Sequence, residues 1–416
     1  MADSSGPHIV VFSSLFPSST QPGAGLFIRE RMFRVGAALP LAVVSPVPWF
    51  PLQSLVRRWR PGFRPGAPPH ERQSDFDVWF PRFLSVPSAL KRLDGFLMAL
   101  GTLPRMWQLR SAGRLDVIDA HFAYPDGYAA SLLGRWLKVP VTITLRGTEV
   151  RHARDPVLAP LLRRALQRAT QVFAVSESLR GIAMSLGIAA ERVRVVGNGV
   201  DLHKFNPLPR DEARRALHLD AEAPVLVTVG ALVERKGFHR VIEILPELRR
   251  RFPGLIYLVV GGSSPEGDMS APLRGQVRAL GLEDAVRFVG PLPPEQLRVP
   301  LSAADVFVLA TRNEGWANVL LEAMACGVPV VATDVGGNAE VVCEPALGSI
   351  VPFGDAGRLR QAIEHALAFS WDKAAIREYA SRNTWDQRVH SLVEVFSSLR
   401  TPRDQPDGGT GATGHV

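Results

Sequence analysis

Cysteine is almost absent: Cys326 and Cys343 are the only two in 416 residues. Two thiols exclude a disulfide framework and a zinc site built on cysteine. Cys326 lies inside an apolar run and reads as a small packed hydrophobe. No uninterrupted stretch of about 18–20 apolar residues is present, so no membrane-spanning helix is expected. The first residues, Met-Ala-Asp-Ser-Ser-Gly-Pro, lack a basic start followed by an apolar segment. That predicts no secretory signal and a cytoplasmic location.

What is present is a chain long enough for two or three domains, with 46% hydrophobic and 21% charged residues, the proportions of a globular protein. Charge is unevenly spread. Residues 1–200 carry 25 Lys and Arg against 13 Asp and Glu, whereas residues 201–416 carry 23 against 27. A basic first half points to an anionic partner, a membrane surface or nucleic acid on this ground alone.

Short valine-rich runs alternate with helical stretches, the pattern of an α/β fold with parallel sheets. Strands are predicted at 8–14, 41–45, 117–121, 141–145, 172–175 and 193–196, then at 225–229, 256–260, 286–289, 306–309, 328–332 and 348–351. Helices are predicted at 156–168, 237–250 and 356–368. The strands divide into two similar sets, and Asn-Gly with two prolines near Asp201–Arg210 marks the junction. The expected division is a first Rossmann-like domain over 1–203 and a second over 204–384. A terminal helix is expected at 385–400. The Gly-, Pro-, Thr- and Asp-rich tail 401–416 is expected to be disordered. Residues 46–110 break the alternation, with prolines and basic residues interleaved with Trp49, Phe50, Trp59, Phe63, Trp79, Phe80, Phe83, Phe96 and Trp107. This segment reads either as a packed insertion or as a surface for lipid headgroups, where aromatics and arginine serve together. Single-stranded nucleic acid uses a similar mixture but fits an enzyme-like chain less well, and no nucleic-acid partner is assigned.

The chemistry concentrates in EGWANVLLEAMACGVPVVATDVGG, residues 314–337. Glu314 and Gly315 leave a strand end, Asn318 stands where it can cap a helix running to about Cys326, and Gly327 ends that helix. A helix N-terminus at the C-terminal edge of a parallel sheet offers N–H groups and a positive dipole end to a diphosphate. Glu322 comes eight residues after Glu314, about 12 Å were the whole segment helical. That span suits one carboxylate at a sugar and one at a ribose.

This block resembles the Glu-x7-Glu motif of retaining GT-B glycosyltransferases, family four. The resemblance implies two Rossmann-like domains facing a central cleft, with Glu314 at the donor sugar and Glu322 at the ribose. Four more segments are similar to that family in the expected order. FPSSTQPGAGLFIRERM, residues 16–32, supplies a flexible loop whose Gly25 approaches the donor phosphates. DVIDAHFAYPDGYAA, residues 116–130, places His121 beside the transferred sugar and Asp126 toward the acceptor. LRGTEV, residues 145–150, carries Arg146 where many relatives have histidine, a contact for an anionic acceptor. VGALVERKGF, residues 229–238, supplies Lys236 for the donor diphosphate. The arginine usual after the first glycine is Ala231 here, and Arg235 is the candidate to replace its charge. VGNGVD, residues 196–201, resembles the segment before the interdomain linker.

The resemblance further implies a metal-independent, retaining transferase without an organic cofactor, since Lys236, Arg235 and helix dipoles neutralise the leaving group and no Asp-x-Asp run leads into the site. The donor would be a UDP- or GDP-sugar, and the acceptor a glycan or lipid-linked oligosaccharide. The wording is most similar to bacterial teichuronic-acid and exopolysaccharide transferases. That implies a peripheral position on the inner face of the plasma membrane, against anionic lipid. Two rival readings remain: a non-hydrolysing nucleotide-sugar epimerase of the same architecture, and a nucleotide-sugar-binding protein without catalysis, prompted by Ala231.

Overall fold

The computed structural model describes residues 6–59, 63–86, 90–264 and 266–399. The tail expected to be disordered, 401–416, and Arg400 at the end of the expected terminal helix lie outside the described residues.

The first half of the chain supplies ten strands: β1 (Ile9–Phe12), β2 (Leu41–Val44), β3 (Val47–Trp49), β4 (His70–Gln73), β5 (Phe76–Trp79), β6 (Arg82–Leu84), β7 (Val117–His121), β8 (Val141–Leu145), β9 (Gln171–Ala174) and β10 (Val193–Val195). Eight form one sheet in the order β10-β9-β8-β7-β1-β2-β5-β4, parallel throughout except that β4 runs antiparallel to β5. The second half supplies β11 (Val225–Val229), β12 (Ile256–Val260), β13 (Val286–Gly290), β14 (Val306–Leu309), β15 (Val330–Thr333) and β16 (Gly348–Val351). These make an all-parallel sheet, β13-β12-β11-β14-β15-β16. Central strands such as β1, β7, β8, β11 and β14 are buried at every residue, which explains their continuous apolar sequences: helices cover both faces.

Among its parallel strands, each sheet reverses its order once. In the first sheet the reversal falls between β1 and β7, and in the second between β11 and β14. At such a switch point the loops leave in opposite directions and open a crevice at the carboxyl ends of the strands. Gly25 comes after β1, His121 ends β7, Lys236 comes after β11 and Glu314 after β14. The topology therefore brings the four predicted segments to the two crevices.

All twelve predicted strands are present. The strands that sequence reading missed, β3 to β6, lie within the irregular segment 46–110. That segment does not stand apart: β5 and β4 extend the first sheet, and β3 pairs with β6 in a two-stranded ribbon. Its aromatics divide. Trp79, Phe80 and Phe83 are buried, while Trp49, Trp59, Phe96 and Trp107 are exposed. Helix α1 (Leu26–Gly36) buries Ile28, Met32 and Val35. The terminal helix Trp385–Ser398 returns to the first sheet, where Val389, Leu392 and Phe396 join the same core. The Phe396 ring meets Phe173 edge-on at 6.0 Å.

Asp126, expected toward the acceptor, has structural partners. Asp126 lies in the irregular turn Ala123–Gly127 after β7 and is 1% exposed. Its carboxyl accepts hydrogen bonds from the Ser14 amide and from Ser14 Oγ at 3.0 Å. It straps the loop after β1 to the exit of β7. Burial pushes its carboxyl up to about 7, against the opposing Ser14 hydrogen bonds. Between the ordinary value of 3.8 and about 7, the folded state keeps a proton that the unfolded chain has lost. Its contribution to stability therefore falls as pH rises through that window. Asp126→Asn keeps an acceptor for Ser14 but cannot ionise. Its stability relative to the parent is expected to rise between about pH 4 and about pH 7 and to level off above, measured as the difference in denaturant midpoints. A pH-independent difference would contradict this assignment.

Candidate active site

On the second sheet, the loop after β14 carries Glu314 into the crevice, 9% exposed. Its Oε1 accepts from Lys236 Nζ at 2.5 Å and from Thr311 Oγ1 at 3.2 Å. Lys236 ends the turn Glu234–Lys236 after β11, and Gly237 (φ 79°) lets the chain reverse into the helix Phe238–Arg251. A β-carbon on Gly237 would stand 1.9 Å from the Ala310 carbonyl oxygen, so the turn fits against the β14 loop only as glycine. The predicted substitute for the missing arginine is present but shared. Arg235 reaches Glu314 at 3.6 Å, and its fork is held by Glu266 at 2.6 and 2.8 Å. Sequence reading missed Glu266, which lies 31 residues downstream of Arg235 in a loop without a recognisable pattern.

Asn318 is not the predicted cap. Ala317 occupies the cap position and no side chain caps the helix Asn318–Ala325. The Asn318 Oδ1 instead accepts from Asn198 Nδ2 at 2.8 Å, across from the other half of the cleft. Glu322 lies one turn further on the same face. Both line a cavity of about 270 Å³ with Leu26, Phe27 and Glu30 of α1 and with Lys204 and Leu292. Burial pushes the Glu322 carboxyl up to about 7, and nearby Lys236 and Lys204 oppose the shift. Ion pairs close the rim: Lys204 to Glu30 at 3.0 Å, Arg34 to Glu30 at 2.7 Å and Arg34 to Asp201 at 2.6 Å. A larger depression of about 680 Å³ opens beside Pro7–Ile9 and Gly36–Ala42, at the other end of the first sheet. It contains none of these residues.

On the first sheet, Gly25 takes a left-handed conformation (φ 64°) at the start of α1. A β-carbon there would meet the Leu15 carbonyl oxygen at 2.3 Å. His121 is wholly buried. Its Nδ1 accepts from Arg146 Nη2 at 3.0 Å and Nε at 3.3 Å, and its Nε2 lies 3.3 Å from Asp119 Oδ2. Nδ1 is thus engaged by Arg146, while Nε2 makes no aligned hydrogen bond. Burial, reinforced by the Arg146 and Arg31 charges, pushes the imidazole down to about 4 despite Asp119. Arg146 stands between His121 and the cleft, 8% exposed. It donates to Asn198 Oδ1 at 2.9 Å and lies over the Phe27 ring at 5.3 Å. Glu149 fixes the turn below, accepting from the amides of Arg146, Gly147 and Ala123. Asn198 and Glu149 belong to the VGNGVD and LRGTEV segments, but nothing in the sequence gave their partners.

Among the described residues, no group of three or more His, Cys, Asp or Glu side chains is placed to hold a metal ion. No helix among them is long and apolar enough to cross a membrane.

Residues 209–402 match the family described as Glycosyl transferases group 1, and residues 62–204 match Glycosyltransferase Family 4. A Bacillus subtilis protein assigned to teichuronic acid biosynthesis as a glycosyltransferase is 29% identical over 79% of this chain and 81% of its own. A D-inositol 3-phosphate glycosyltransferase of Corynebacterium urealyticum is 32% identical, covering 70% of this chain and 73% of that relative. The fold matches sucrose-phosphate synthase from Thermosynechococcus elongatus with a TM-score of 0.75, at 22% identity over 95% of this chain and 99% of that one. It also matches Anabaena HepE in complex with UDP and glucose, with a TM-score of 0.71, at 19% identity over 94% and 100%. Two parallel sheets meeting at their switch points, a Glu-x7-Glu block on one side of the crevice and these relatives place the chain in glycosyltransferase family 4, with the GT-B fold.

Proposed function

We propose that the protein transfers a sugar from a nucleotide-diphosphate donor, UDP- or GDP-linked, with retention of the anomeric configuration. The observation that carries this reading is the Lys236–Glu314 pair at 2.5 Å, beside the start of a helix whose Glu322 shares a cavity with Asn318. In the reaction the sugar C1–O bond breaks and negative charge develops on the departing diphosphate. Lys236, Arg235 and the N-terminus of the helix Asn318–Ala325 stabilise that charge without a metal ion. Glu314, released from Lys236 by the incoming diphosphate, faces the sugar. An acceptor hydroxyl attacks from the side of the departing group, which takes its proton, and an α-linkage results. Glu322 accepts from the ribose hydroxyls, and Gly25 leaves its loop free to approach the phosphates.

For the acceptor, the reading is a lipid-linked or oligosaccharide chain in bacterial surface polysaccharide synthesis. The teichuronic-acid relative supports it, and so does the surface of the first domain. Helix α2 (Gln53–Trp59) exposes Leu55, Arg58 and Trp59. Helix α3 (Asp94–Ser111) exposes Phe96, Leu100 and Trp107 on one face, with Lys91 and Arg92 exposed just before it. Apolar residues beside basic ones suit an anionic bilayer on the inner face of the plasma membrane. Arg60, part of the same basic run, lies outside the described residues. A second reading, a small phosphorylated acceptor, is favoured by the buried cation Arg146 and by relatives named for D-inositol 3-phosphate.

Incubation with UDP- and GDP-sugars and candidate acceptors, with analysis of the products, tests the reaction. Glu314→Gln and Lys236→Met are each expected to lower kcat by roughly 10²–10³-fold. Epimerised nucleotide sugar without acceptor, or unchanged turnover in both variants, would overturn the reading. Donor affinity is expected to rise as pH increases through about 7, where Glu322 ionises and becomes the stronger acceptor. Glu322→Gln should abolish that dependence. For the membrane, flotation with anionic liposomes should be lost in high salt and fall on the order of tenfold in Arg58→Gln/Trp59→Ser. Equal flotation with neutral liposomes would contradict an electrostatic contact.

A further inference from the structure

The imidazole of His121 is wholly buried at the end of β7, with its Nδ1 taken by Arg146. Its two contacts settle its state. Nδ1 receives N–H groups from both Nε and Nη2 of Arg146, so Nδ1 must carry the lone pair. The proton then resides on Nε2, which faces Asp119 Oδ2 at 3.3 Å. A histidine in that tautomer is a hydrogen-bond acceptor toward Arg146, and its Nε2 makes no aligned hydrogen bond although the Asp119 carboxylate lies close by. Asp119 is itself fixed, accepting from Thr142 Oγ1 at 2.6 Å on the neighbouring strand.

The guanidinium is bounded on three sides. One edge rests on His121, Nη1 donates to Asn198 at 2.9 Å, and the face covers the Phe27 ring. A guanidinium has five N–H groups. These contacts leave one N–H on each terminal nitrogen for something else. The Arg146 backbone is pressed against the donor loop, since a β-carbon on Gly315 would lie 2.0 Å from the Arg146 carbonyl oxygen. Phe27, under the guanidinium, lines the cavity that also holds Glu322. The remaining donors are therefore close to both halves of the cleft. Planar donors at fixed positions suit an oxyanion, and a preset arginine loses less rotamer freedom on binding than an unrestrained one.

We infer that His121 is a positioning residue which, with Asp119 behind it and Asn198 beside it, clamps Arg146 so that its outer N–H groups take a phosphate oxygen in the cleft. The phosphate belongs either to the donor diphosphate or to a phosphorylated acceptor. This rests on the transferase reading for its kinetic test, but not for its binding test. The other charged group facing the imidazole is Arg31 on α1, also wholly buried. It adds to the positive potential that favours an anion at this place.

The test is a double-mutant cycle of His121→Leu and Arg146→Met, with His121→Asn as the conservative variant whose amide oxygen can still accept from Arg146. In the parent background His121→Leu should lower kcat/KM by roughly 10²-fold, the cost of misplacing a binding group by about an ångström. In the Arg146→Met background the same change should cost under about threefold. His121→Asn should restore most of the loss. The source of the phosphate appears in which constant moves: Arg146→Met weakens UDP or GDP binding if it is the donor's, and raises only the acceptor KM if it is the acceptor's. If no sugar is transferred by any variant, the same cycle is read in the affinity for inorganic pyrophosphate, where the clamp predicts the same non-additivity. Equal losses from His121→Leu in both backgrounds would overturn the inference, because the histidine would then act without Arg146. If His121→Leu does not fold, the inference stands on His121→Asn matching the parent and is overturned if His121→Asn loses as much as Arg146→Met.

Discussion

The two halves of the cleft meet backbone to backbone. At the contact there is no room for a side chain: a β-carbon on Gly315 would collide with the Arg146 carbonyl, and one on Gly147 would stand 3.0 Å from the Gly315 backbone; within the second half, one on Gly336 would lie 1.7 Å from the Glu314 carbonyl oxygen. Gly147 (φ 126°) and Gly336 (φ 55°) also hold conformations that other residues seldom adopt. The positions of Arg146 and Glu314 are thus set by the main chain of two different sheets. Long, flexible side chains do not determine them. Glycines in this chain are part of the site's geometry as much as its carboxylates are.

Around that contact the cations proposed to meet a ligand already have partners. Lys236 and Glu314 satisfy each other, Arg235 is shared between Glu266 and Glu314, and Arg146 rests on His121 and Asn198. An unpaired charge in such an enclosed place would be costly, and removing one member of a pair exposes that cost. In the proposed reaction the diphosphate replaces Glu314 as the partner of Lys236. The same event that binds the leaving group then frees the carboxylate needed at the sugar.

Much of this architecture was legible from valine-rich runs, because strands buried on both faces must be apolar throughout. The strands that escaped, β3 to β6, are short elements at or next to the sheet edges; β3 is Val-Pro-Trp and β4 is His-Glu-Arg-Gln. Neither alternation nor continuity marks such a strand. In the site, Gly25, Lys236, Glu314 and Glu322 were legible because each belongs to a local strand-to-helix transition. What local sequence cannot give is the direction a polar side chain takes. Asp126 turns to Ser14, 112 residues away, and Asn318 turns to Asn198, 120 residues away. Those directions depend on partners that only the folded chain brings near. For the same reason, the motif placed a histidine at position 121 without revealing that an arginine at the end of the next strand covers it.

The proposed reaction places Lys236 at the donor diphosphate, and it depends on a contact to the second phosphate. Calorimetric titration of a nucleoside diphosphate and the matching monophosphate into the parent and Lys236→Met proteins tests it most directly. The account predicts that the second phosphate tightens binding by about tenfold or more in the parent, as expected for a hydrogen bond to a charged group, and by little in the variant. An equal gain from the second phosphate in both proteins would contradict it.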